Sequence, residues 1–318
     1  MSRKKTPRKA APAQRRGDAP TGILSVQSPK TVMPSSFRLV RTITAAADRA
    51  VVTAGARKPD DEREARLALI DLTQLERGCN ALKSLSLLCG EGYWEFATGI
   101  ARQLFELVIS AEHVATFDDR EDAIQRYGTF ALLQQLEHAR NLLRYSAARG
   151  DPVDQALLRD IETELEHERF AEFRPKSKDG TLQRTEGGRL KTVASWSGHN
   201  ARQLAKASKN SQRLAQYDVL FTAWSRQSHA TPGATLTDPL AVGNLENLPA
   251  KERAQTLQTM TMAIVLFIDL WKLLPHVPKP ADPDQFTRWR AEVRQQAVKL
   301  APGPAYGFRS SPAGIVDF

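Results

Sequence analysis

Apolar residues recur every three to four positions along most of this chain, with polar residues between them. The period predicts helices over about residues 62–88, 92–116, 119–148 and 152–171. Further helices are expected over Val193–Tyr217 and on to about His229. A long one opens at Leu248-Pro249 and ends near Pro275, and a last one runs from about 284 to 300. Gly90, Gly150 and Pro232-Gly233 punctuate the pattern. Upstream, Pro29 and Pro34 interrupt short apolar runs, which predicts an extended lead-in followed by a helical piece around 41–55. No alternating β-branched run is long enough for a sheet. The expected fold class is all-α: a single multi-helix bundle over 61–300, preceded by an arm and lead-in (1–60) and followed by an irregular tail (301–318).

Two helices look central. In 92–116, apolar residues cover most of the circumference, and Arg102, Glu106 and His113 fall on one narrow stripe at 100° per residue. Met262–Leu274 is apolar on nearly every side, broken only by Asp269 and Lys272. It is too short and too interrupted to span a bilayer, so it belongs inside a bundle.

Charge changes this picture by its distribution. The chain has 318 residues and a formal net charge of +9. Residues 1–60 hold 13 Lys+Arg against 3 Asp+Glu, while 61–173 hold 12 against 22 and 174–213 hold 10 against 2. The first twenty residues lack large apolar side chains and cannot offset their ordering entropy, so disorder is expected there. Their cations, Arg3, Lys4, Lys5, Arg8, Lys9, Arg15 and Arg16, suit contact with nucleic-acid phosphates or serve only as a solubilising tail. There is no apolar signal core. Two cysteines, Cys79 and Cys89, fit a reducing cytoplasm and read as core residues.

Four constellations are candidates for chemistry. Arg102, Glu106 and His113 form either a polar site inside the bundle or an ion pair that fixes packing. Tyr217, Phe221, Ser225 and His229 share one helical face. Ser225 and His229 there form either a nucleophile–base pair or an ordinary helix end. Glu164-x-x-His167 is half of a di-metal carboxylate motif, but no second Glu-x-x-His exists. The surrounding acidic face argues against metal. The basic segment 174–213 either presents a phosphate-facing patch or docks on the acidic half before it. No Walker A loop, dinucleotide fingerprint, HExxH or CxxC is present, and no cofactor is expected.

Arg102 and Glu106 in a central helix, Trp196-Ser-Gly, and then Tyr217, Phe221, Ser225 and His229 resemble a bacterial all-helical family known only as a domain of unknown function (family 5677). The likeness spans about residues 65–275. It implies a helical bundle with a buried Arg/Glu/His cluster and no known activity. Phe221 stands where the family pattern implies a second Tyr. A looser similarity is to HEPN-type helical ribonucleases, but only two residues separate Arg226 from His229, fewer than that motif has. The leading expectation is therefore a non-catalytic binding module. Arg102, Glu106, His113, Tyr217, Ser225 and His229 would form its ligand site, with an unidentified protein or small molecule as partner. The alternatives are a metal-independent ribonuclease, with Arg102 steadying phosphate charge, Glu106 orienting and His229 as acid/base, and a purely structural or oligomerisation protein.

Overall fold

The computed structural model describes residues 29–57, 59, 61–186, 188–223 and 248–300. The basic arm's Arg3, Lys4, Lys5, Arg8, Lys9, Arg15 and Arg16, the pair Ser225 and His229, and the 301–318 tail lie outside them. Acidic side chains at the starts of the helices set their boundaries. Asp61 accepts from Glu64 N at 2.7 Å and opens α3, Glu62–Gly90. α4, Trp94–Val114, follows a tight turn. Asp119 caps α5, Arg120–Ala148, and Asp154 caps α6, Gln155–Leu165. Each carboxylate satisfies backbone N–H groups that have no partner within the first turn.

The prolines of the lead-in start helices instead of extending the chain. α1 is Pro29–Val32 and α2 is Pro34–Gly55. Proline lacks only an N–H that the first helical turn leaves unpaired anyway, and its fixed φ suits that position. Leu39, Val40 and Ile43 of α2 are buried, so the folded body begins well before residue 61.

The chain then departs from the helical period. A 3₁₀ turn, Glu168–Phe173, follows α6. Residues 174–193 make two successive excursions, each closed by one antiparallel bridge, Lys176 to Leu182 and Arg184 to Leu190. Val193 N returns to Phe173 O at 3.0 Å. The expected single helix over Val193–Tyr217 is instead a turn at Trp196–Asn200, then α7 (Ala201–Ala207) and α8 (Arg213–Tyr217). α8 runs on as a π-helical segment, Asp218–Ala223. Asn200 breaks the helix because its side chain caps α7 in a reciprocal box with Gln203. α9 is Leu248–Leu273 and α10 is Gln285–Leu300. The described residues contain no strand beyond the two bridges.

α9 is the axis of the main core and packs on α4, α3, α10 and α2. It includes a stretch, Arg253–Leu273, long and apolar enough to cross a membrane, but 83% of that window is buried inside the protein. Neighbouring helices, not lipid, cover the apolar surface. At Gly78 of α3 the approach is so close that a Cβ would sit 2.6 Å from Leu270 Cδ2. A second, smaller core lies under α5, α6 and the 3₁₀ turn, built on Phe130, Leu133, Phe170, Phe173 and Trp196. Cys79 and Cys89 are buried free thiols in the main core, and burial pushes both up to about 12.

Two charge clusters are enclosed by this packing. Arg213, 1% exposed, donates to Glu112 at 2.8 Å, Gln216 at 2.7 Å and Asp269 at 3.0 Å. Arg290 pairs with the other oxygen of Asp269, and Ser208 donates to Glu112 at 2.7 Å. Asp71, fully buried, is held by Arg120, by His276 Nδ1 at 2.8 Å and by His276 N at 3.1 Å.

Candidate ligand-binding site

α4 carries Arg102, Glu106 and His113 on one face, as the stripe predicts, but that face is not sealed. Arg102 Nε lies 3.6 Å from Glu106 Oε1, and their side chains are 33% and 50% exposed. The expected buried Arg/Glu/His cluster is thus a partly open one. The helical period fixes which residues share a face; which face is covered depends on the neighbours. Buried ions occur instead at Arg213 and Asp71, described above, and at Arg174.

The stripe divides into two neighbourhoods. At its N-terminal end the Arg102 guanidinium sits 3.9 Å above the ring of Phe221. Phe221 stacks on Tyr217 with centroids 4.5 Å apart, and both rings meet Phe105. Arg102 thus lies between Glu106 and the ring of Phe221, which the π-helical segment delivers, and Tyr217 stacks behind Phe221. Phe221 presents its ring face to the guanidinium.

At the other end, His113 joins a cage of rings. It lies 5.2 Å from Trp196 and 5.8 Å from His199. Phe117 stacks on Trp196 at 6.3 Å, and Tyr127 meets it edge-on at 5.4 Å. Burial, then the nearby His199 and Arg126, holds His113 below its ordinary value, which favours the neutral ring. The Trp196 turn is tied by Ser197. Its Oγ accepts from His199 N at 3.1 Å, and its carbonyl lies 2.8 Å from His199 Nδ1. Gly198 at φ +73° makes this reversal possible without strain.

Between the two neighbourhoods lies a groove of about 550 Å³ bounded by α3, α4, α5 and the Trp196 turn. Its walls include Arg77, Gln103, Glu106, Gln134, Trp196 and His199. The groove wall removes water from Glu106, which raises its carboxylate above the usual range while Arg102 pulls it down. Trp196 is 5% exposed, and its indole Nε1 has no hydrogen-bond partner. The stripe pattern alone does not reach Arg77, Gln134 or His199. His199 was within reach, since it directly follows Trp196-Ser-Gly.

Glu164 and His167 both take protein partners. Glu164 pairs with Arg169, and His167 Nδ1 accepts from Arg169 N at 3.1 Å as the cap of the 3₁₀ turn. Among the described residues no group of three or more His, Cys, Asp or Glu is set to hold a metal ion. The basic segment docks on the acidic half: Arg174 meets Glu137, Arg184 meets Glu166 and Arg213 meets Glu112.

The fold and groove define an all-helical bundle with an aromatic-walled polar site. The chain belongs to a family of unknown function (DUF5677), which matches residues 72–238. That span holds α4, the Trp196 turn and the Tyr217–Phe221 pair. No curated protein and no solved structure matches the chain.

Proposed function

We propose that this chain is a non-catalytic helical module that binds a small ligand in the groove between α4, α5 and the Trp196 turn. The observation that carries this reading is the Trp196 indole N–H, a buried donor without an acceptor in the wall of an open groove. A buried donor left unmade costs about 1–3 kcal/mol, and a ligand acceptor would recover it. The groove lies within the size range of small-molecule sites. Glu106 and Gln134 supply polar positions for orientation, and the rings around Trp196 supply apolar surface. The ligand that fits has a hydrogen-bond acceptor for Trp196 and a donor for Glu106. A thermal-shift screen of small amides, carboxylates and nucleosides tests the reading. A compound that raises the Tm of the wild type should lose that effect in both Trp196→Phe and Glu106→Gln. A shift retained in both variants would place binding elsewhere and end the proposal.

The basic arm adds a separate proposal, a tether to nucleic acid, supported by its excess of Lys and Arg over residues 1–60. Deleting residues 1–20 should weaken nucleic-acid binding and flatten its salt dependence. An unchanged slope retires it.

A further inference from the structure

A second cavity, of about 450 Å³, opens where α5, α6 and the bridged segment 174–193 meet, and it shares no lining residue with the groove. Arg140, Arg144, Arg159, Arg174, Arg184 and Arg189 all line it. Three acidic groups answer them. Arg144 Nε donates to Glu162 at 3.2 Å, Arg184 lies 3.7 Å from Glu166, and Arg174 lies 3.6 Å from Glu137. Arg174 is further fixed by Leu165 O at 2.6 Å and Thr192 Oγ1 at 2.7 Å.

Those pairings exhaust the carboxylates. Arg140, Arg159 and Arg189 have no carboxylate within 4.0 Å among the described residues, which leaves an excess of three positive charges around one cleft. Arg140 Nε is buried with no partner, and its Nη2 reaches only Asn141 Oδ1 at 3.5 Å. Burial draws Arg140 below its ordinary value; Arg189 and Arg144 add to this, and Glu137 and Glu162 oppose it from beyond ion-pair distance. Uncompensated like charges that converge on a cavity are destabilising in the empty state and favourable once an anion enters. Guanidinium forks match the oxygens of phosphate, and two or three of them suit a multiply charged group. No aromatic side chain lines the cleft, so nothing there stacks a base. The cleft is built to read phosphate oxygens.

We propose that the Arg140–Arg159–Arg189 cleft binds a small ligand carrying linked phosphate groups, of the diphosphate class. Free diphosphate and the tail of a nucleoside diphosphate present the same chemistry.

Isothermal titration of the full chain with pyrophosphate, ADP, AMP and orthophosphate at a fixed ionic strength of about 0.15 M tests this. Pyrophosphate should bind, and orthophosphate and AMP should bind at least about tenfold more weakly. ADP equal to pyrophosphate indicates that the phosphates alone are read, and tighter ADP indicates a nucleoside-borne source. The double variant Arg140→Gln/Arg189→Gln should lose at least about tenfold in affinity. Arg202→Gln, outside the cleft on α7, should leave it unchanged. In the wild-type chain, pyrophosphate should also protect Arg140, Arg159 and Arg189 from phenylglyoxal, a readout that needs no variant to fold. Absence of binding by both pyrophosphate and ADP overturns the proposal, as does equal affinity in the double variant or loss of protection. A short single-stranded RNA that binds through the same arginines more tightly than pyrophosphate also overturns it, in favour of a nucleic-acid backbone.

Discussion

The half of the molecule around α9 and the half around α5 and α6 solve the same problem with different materials. Around α9, a helix apolar on nearly every side is enclosed by α2, α3, α4 and α10, and its buried carboxylate, Asp269, is locked in a network with Arg213 and Glu112. Around α5 and α6, a small cluster of Phe130, Phe170, Phe173 and Trp196 is ringed by exposed ion pairs such as Arg126–Glu172 and Arg169–Glu164. Both cavities border the second half: Phe130 and Trp196 wall the groove, and Leu165 walls the arginine cleft. A core that fills its space excludes ligands, whereas a thin core under bridged turns leaves room. Both cavities thus sit where the core is thinnest.

The comparison can be broken most directly at its sealed ion network. Arg213→Ala leaves Glu112 without its cation and Asp269 with Arg290 alone, and should cost about 3–5 kcal/mol in urea unfolding. Arg213→Met, which keeps the volume but not the charge, should cost less than Ala does, and an equal loss would show that charge, not side-chain volume, matters there. In the thinner half, Phe173→Ala should cost about 3–5 kcal/mol. If the described halves form one cooperative unit, as we propose, this variant still unfolds in a single transition by circular dichroism and by fluorescence. Two separated transitions would divide the molecule along the comparison drawn here. Gly78→Ala pushes a methyl against Leu270 and Phe267 and should destabilise by about 1–3 kcal/mol, because side chains packed around α9 have little room to move.

The pH-dependent effects are smaller. His113 is held below the ordinary histidine value, so in acid the unfolded chain binds its proton before the folded chain does. Stability should therefore fall as pH drops below about 6.5, and His113→Asn should shrink that fall. A histidine proton resonance from His113 that titrates at or above the ordinary value would remove the cause. For the thiols the sign is reversed. Cys79 and Cys89 are pushed up to about 12, so the folded state holds their protons longer than the unfolded chain does. Their contribution is complete below about pH 9 and is lost as pH rises through 12. Both should resist a thiol reagent at pH 8 in the native protein and react promptly in urea. Fast native labelling would show the α9 half to be looser than its packing implies.

Much of the fold is legible in the chain because capping is local. Asp61, Asp119 and Asp154 satisfy N–H groups two or three residues away, so the starts of α3, α5 and α6 follow from short stretches of sequence. The misreadings share a cause. Pro29 and Pro34 look like breakers, yet each begins a helix, and only the apolar partners waiting for Leu39 and Ile43 decide that. Asn200 inside an apparently helical run is itself a cap, which splits Val193–Tyr217 in two. Half of the site was visible in the same way. Arg102, Glu106 and His113 share a face by periodicity, and Trp196 and Tyr217 were marked by resemblance. Arg189 lay in the basic segment 174–213 marked for phosphate or for docking, but Arg77, Gln134 and Arg140 were not visible, since each joins its cavity from an element distant in sequence.

The sequence by itself determined the helical class, most helix starts, the all-round apolar character of α9 and the uneven charge along the chain. These depend on periodicity, capping and composition, which act over a few residues. Only the tertiary structure decided which charges are enclosed, which face of α4 stays open and which arginines find carboxylates. Those outcomes depend on desolvation and on distances between elements far apart in the chain. Asp269 shows the difference: in the sequence it interrupts an apolar helix, and in the folded protein it lies between Arg213 and Arg290.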